Sequence, residues 1–253
     1  MSEKDVSPLI DHLLELRHRL LYVLGSFFIA FIISYHFSDE IFTLLVKPLA
    51  SIFEGKTGRR LIYTGLAEAF VTYLKVALFT ATFVTLPHFA IQVWLFISPG
   101  LFPTEKKVIL PFLLLTPIFF GIGAAFAYYV IIPPAWKFFL AFEETKASQI
   151  LPIQLEARVS EYLSIIMQLI LAFGTSFLLP VLLTLLGKIG VISSRSLATK
   201  RKYAFLSILI VAAIVTPPDV LSMIGLALPL YFLYETSIFC VYFFEKRGLH
   251  VGH

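Results

Sequence analysis

The feature that most constrains this chain is where its charges are missing. Asp, Glu, Lys and Arg are absent from Leu20–Ser38 (19 residues), Val76–Thr104 and Val108–Trp136 (29 each), Tyr162–Gly187 (26), Tyr203–Pro218 (16) and Val220–Tyr234 (15). A helix needs about 20 apolar residues to cross the ~30 Å hydrocarbon core of a bilayer. Four stretches meet that length or nearly so. The last two are short, and the fifth rises only about 24 Å. Both still read as spans, because Pro217, Pro218 and Asp219 form a polar turn between them. Lipid offers no partners for the backbone groups such a turn frees. Composition agrees: 58% of residues are hydrophobic and 14% charged. A soluble domain is roughly a quarter charged, so the chain cannot cover a water-facing surface. A disordered, fibrous or nucleic-acid-binding protein is excluded on the same ground. The expected fold is all-α: a polytopic membrane protein with six transmembrane helices and the last two short. It is one integral membrane domain over residues 1–253. A cytoplasmic amphipathic helix occupies 1–19, and spans lie near 20–38, 70–97, 110–132, 161–186, 203–217 and 221–242. A short hairpin of spans predicts local bilayer thinning, since mismatch is relieved that way.

Six spans put both termini on one side. Basic residues cluster before span one (Arg17, Arg19), between spans two and three (Lys106, Lys107), between four and five (Arg195, Lys200, Arg201, Lys202) and in the tail (Lys246, Arg247). Positive-inside reasoning makes that side cytoplasmic. The net charge of +4 has the same bland origin. Glu3, Asp5, Asp11 and Glu15 precede span one, whereas a signal peptide begins basic. Ser7-Pro8 suits an N-cap and first turn, and Leu9, Leu13, Leu16 and Leu20 recur at helical spacing. Of the two long outer loops, 39–68 is expected to hold a short helix ended at Pro48, and 133–161 to break at Pro133-Pro134.

No catalytic motif, metal-ligand spacing or cofactor fingerprint stands out, so the chain reads as a non-enzyme without cofactors. The lone Cys240 reads as an inert buried thiol, and His88 as a packing residue. The informative residues are ionisable or polar groups in or beside spans, where a charge costs at least ~2.5–3.5 kcal/mol. Lys75 reads as snorkelling to the outer interface or as a polar contact. Glu235 reads as a structural carboxyl or as a contact to another helix or subunit. Asp219 suits the start of span six, and Gln168 an interhelical hydrogen bond. On the cytoplasmic side, Glu15 has Arg19 four residues on as an intrahelical partner, and Glu105 suits a helix N-terminus. The alternative is that these two carboxylates receive a cationic ligand. Arginine fits such a site because its planar fork binds carboxylate bidentately.

The residues around these groups resemble the TatC family, the polytopic core subunit of the twin-arginine (Sec-independent) protein translocase. The motifs are His12-Leu13-Leu14-Glu15-Leu16-Arg17, Pro48-Leu49, Gln92 to Phe102, Glu105-Lys106-Lys107, Phe126-Ala127-Tyr128, Ala172-Phe173-Gly174, Lys200 to Tyr203 and Thr216 to Val220. The resemblance covers nearly the whole chain. It implies a receptor and scaffold that binds twin-arginine signal peptides of folded precursors, with Glu15, Arg17, Phe96 and Glu105 at the signal-peptide site. It also implies single-span TatA- and TatB-type partners in a multi-subunit complex, export driven by proton motive force, and a bacterial inner membrane in preference to an organellar one. Lys75, Gln168, Asp219 and Glu235 remain partner or structural polar positions. The chain departs from the family at Leu178, in Phe177-Leu178-Leu179-Pro180, where the family commonly has Glu or Gln. The runner-up function is a small-solute secondary transporter.

Overall fold

The computed structural model describes residues 3–53, 60–97, 103–144, 156–216 and 220–246, without side chains for 3–9, 11, 97, 103–109, 142–144, 215, 221 and 222. Every regular element among the described residues is helical, apart from one parallel bridge between Ile62 and Arg158. The helices are α1 (Glu3–His36), α2 (Ser38–Phe53), α3 (Glu68–Ile97), α4 (Pro103–Phe126), α5 (Ile132–Glu144), α6 (Val159–Ser176), α7 (Leu179–Lys188), α8 (Ser194–Thr199), α9 (Arg201–Val215) and α10 (Val220–Lys246). A π-helical turn, Ala127–Ile131, joins α4 to α5. Among the described residues five helical stretches are long and apolar enough to cross a membrane, and α9 is the sixth helix of the set. Of the two helices expected to be short, α9 has 15 residues, while α10 has 27 and continues past Glu235. That extension is possible because Arg201 neutralises Glu235, with Nε 2.8 Å from Oε1.

α1 is uninterrupted for 34 residues, about 51 Å, so it spans the core with several turns to spare. It starts ahead of Ser7-Pro8 rather than at that pair. Pro8 lies early enough that its missing N–H forfeits one bond, to the Lys4 carbonyl.

Two proline sites were expected to break helices and do not. α2 continues through Pro48 to Phe53. Proline there cannot donate to the carbonyl of Leu44. The Tyr128 hydroxyl donates to that carbonyl instead, at 2.7 Å, and the Tyr162 hydroxyl donates to the Leu45 carbonyl at 3.0 Å. Leu45 and Leu49 are buried beneath them. The chain also stays helical through Pro133-Pro134. There the π turn widens the helix, with the Ile132 N–H reaching back to the Ala127 carbonyl. This relieves the crowding that two prolines impose on the preceding turn. Conversely, span four is not continuous. α6 ends at Ser176 and α7 begins at Leu179, because Pro180 has no N–H to carry the ladder across.

The core forms where α4, the π turn, α5, α6 and α10 meet, around Ala124, Ala127, Ile132, Leu163, Ile166, Phe173, Leu226 and Val241. Glycine permits the closest crossings. A Cβ on Gly123 would lie 2.5 Å from the Phe173 carbonyl oxygen, and one on Gly187 2.6 Å from Val241. Close approach at small residues drives helix association in lipid, where no hydrophobic effect operates between spans. On the outer side, Glu68 at the head of α3 accepts from the N–H groups of Thr64 (2.8 Å) and Gly65 (3.1 Å) and from the Ser160 hydroxyl (2.6 Å). It thereby ties the start of α3 to the start of α6.

Candidate functional site

α1 packs antiparallel on α3, so the beginning of α1 meets the end of α3. Glu15 and Arg19 share one face of α1, four residues apart. Arg19 Nη2 and Nε lie 2.5 and 3.0 Å from the same oxygen, Glu15 Oε1. The other oxygen, Oε2, faces His12 Nδ1 at 3.8 Å. The His12 ring stacks on Phe96 of α3, with centroids 4.2 Å apart and planes 12° from parallel. Arg19 Nη1 reaches across to Gln92 Oε1 at 3.4 Å, and Gln92 Nε2 lies 3.4 Å from His88 Nε2. A polar row therefore runs from the membrane surface into the span, bounded by an aromatic ring. His88 is half-buried within it rather than simply packed in the core. Such a row presents acceptors, at Glu15 and Gln92, to a planar cation beside an aromatic surface.

Glu15 and Phe96 thus share one corner through His12. Arg17 is exposed on a neighbouring face of α1. Glu105 stands on the first turn of α4, and its side chain lies outside the described residues. Asp219 lies outside them entirely. Lys75 and Gln168 line one groove of about 590 Å³ between α3 and α6, together with Thr82, Ser164 and Thr175. Glu235 faces α9, where Arg201 holds both its oxygens, at 2.8 and 2.9 Å. This is an interhelical contact within the chain. Leu178 sits at the α6–α7 break and lines two apolar grooves, one against α9 and one against α3 and α4. Cys240 is half-buried. Sequence reasoning missed Gln92 as an acceptor. Its one signal was an amide in an otherwise apolar run.

The model of the family described as "Sec-independent protein translocase protein (TatC)" matches residues 11–229. A Rickettsia prowazekii protein named Sec-independent protein translocase protein TatC is 47% identical over 244 residues, covering 96% of each chain. An Escherichia coli K12 protein of the same name is 36% identical, covering 98% of this chain and 93% of its own. A crystal structure titled Twin Arginine Translocase Receptor-TatC superposes with a TM-score of 0.77 at 34% identity, covering 92% of this chain and 98% of that one.

Proposed function

We infer the function from one premise: the chain belongs to the TatC family of Sec-independent protein translocase proteins. It is a multi-pass membrane protein and the receptor subunit of a twin-arginine translocase, a transport component rather than an enzyme. The small-solute transporter reading is set aside, because the family moves proteins. The finer reading is that the corner of α1 and α3 binds the consecutive arginines of a signal peptide on a folded precursor. Glu15 and Glu105 supply carboxylates, Phe96 an aromatic wall, and Arg17 an exposed flank. The observation that carries this is the placement of Glu15 beside Phe96 through the His12 stack. It sets an acceptor for a guanidinium next to a ring on which that guanidinium can lie. Single-span TatA- and TatB-type subunits are the partners this reading expects, in a bacterial inner membrane, with proton motive force as the energy source. Lys75, Gln168 and Asp219 are the polar positions this reading assigns to partner or structural contacts.

The test is binding of a fluorescent signal peptide to purified protein in detergent. Arg-Arg peptides should bind more tightly than Lys-Lys peptides, because fork geometry is lost with lysine. Glu105→Gln and Glu15→Gln should each weaken Arg-Arg binding by about 1.5–3 kcal/mol, the contribution of a charge-assisted hydrogen bond. Equal, weak binding by all variants would place the receptor site elsewhere.

A further inference from the structure

Glu15 is not vacant. Arg19 already holds it through two donors on one oxygen, and the pair is partly shielded, with 22% of the Arg19 side chain and 32% of the Glu15 side chain exposed. Arg19 also has a second acceptor within reach, the Gln92 amide oxygen on α3 at 3.4 Å. We propose that Arg19 is a resident stand-in for the ligand's arginine: an incoming guanidinium must displace it from Glu15, and Gln92 receives it when displaced. This rests on the reading that Glu15 binds a peptide arginine.

The energetics give the proposal a signature. Breaking the internal pair opposes binding of every ligand at Glu15 equally. It therefore sets how tight a ligand must be to bind at all, not how strongly Arg is preferred to Lys. Specificity is a difference between two affinities, and a common term cancels from it. Gln92 lowers the opposing term as far as its long 3.4 Å contact with Arg19, already present in the paired state, shortens to a full hydrogen bond once Glu15 lets go.

Peptide titration on Arg19→Gln should show Arg-Arg and Lys-Lys peptides both binding about 1.5- to fivefold more tightly, the range of a partly exposed ion pair, with their ratio unchanged. Arg19→Lys keeps the charge but not the fork, so it should tighten binding by a smaller factor. If loss of one repelling positive charge were the whole cause, Arg19→Lys would bind like the wild type. In a Glu15→Gln background, adding Arg19→Gln should change nothing, because the effect runs through Glu15. Gln92→Leu changes no charge and should weaken binding, opposite in sign to the Arg19 variants. It serves as the test if Arg19→Gln fails to fold. Weaker or unchanged binding in a folded Arg19→Gln, or tightening that survives in Glu15→Gln, overturns the proposal. If Glu15→Gln alone leaves Arg-Arg binding intact, the signal-peptide reading of Glu15 has failed instead. Loss of binding in Glu15→Gln without any gain in Arg19→Gln removes only the displacement step.

Discussion

At the scale of single residues, charge near the membrane is held in pairs. Arg201 and Glu235 come from different helices and meet at 2.8 and 2.9 Å, half and one-third exposed. Removing one partner leaves the other charge beside apolar helices. Arg201→Gln should lower stability only slightly, because solvent screens a pair this exposed. Glu235→Gln in the same molecule should recover part of it, since the unpaired charge is then gone. Thermal unfolding of the three variants in detergent measures this. Additive losses in the double variant would mean that the two residues act independently. The Glu15–Arg19 pair was legible in sequence, because four residues on a helix fix proximity. Arg201–Glu235 was not, because it depends on how α9 docks on α10. Only the need for some partner at Glu235 could be read in advance.

At the scale of elements, several of the motifs shared with the family build the fold. Pro48-Leu49 and Phe126-Ala127-Tyr128 belong together: the proline orphans a carbonyl of α2 and the tyrosine satisfies it. Tyr128→Phe should cost about 0.5–1.5 kcal/mol, the net contribution of one hydrogen bond, read as a fall in unfolding temperature. Restoration by Pro48→Ala in the double variant would identify the freed carbonyl as the cause. Gly174 belongs to another such motif and faces Phe120 across the α4–α6 crossing. In that crossing Gly123→Ala should destabilise by about 1–3 kcal/mol through overpacking. Gly121→Ala, with nothing within 4 Å of its added Cβ, should instead be neutral or stabilising, by up to about 1 kcal/mol. Missing charges revealed the spans, since lipid forbids what water permits. They did not reveal whether prolines break helices. That outcome rests on a donor 84 residues away and on a π turn that no local pattern announced.

At the scale of the whole molecule, the helices differ in how much they depend on one another. α9 has 15 residues, about 22 Å against a ~30 Å core. Bilayer thinning is therefore expected beside α9 alone, since α10 is long enough to tilt. Stability in vesicles should fall as lipid chains lengthen, and lengthening α9 by one turn should flatten that dependence. No change with lipid length would count against local thinning. α1 lies at the other extreme. It leans chiefly on α3, and only 6% of its apolar window is buried by the protein. From Ile10 on, its leucines and isoleucines, with Phe28, are exposed along its length. This has a consequence for biogenesis. α1 leaves the ribosome ahead of α3 and needs no later segment to be comfortable in lipid, so it can wait there until α3 arrives. α4 and α6 have no such independence. Their glycine-lined crossing exists only when both are present, so α4 and α6 have to assemble together while α1 can be laid down in advance.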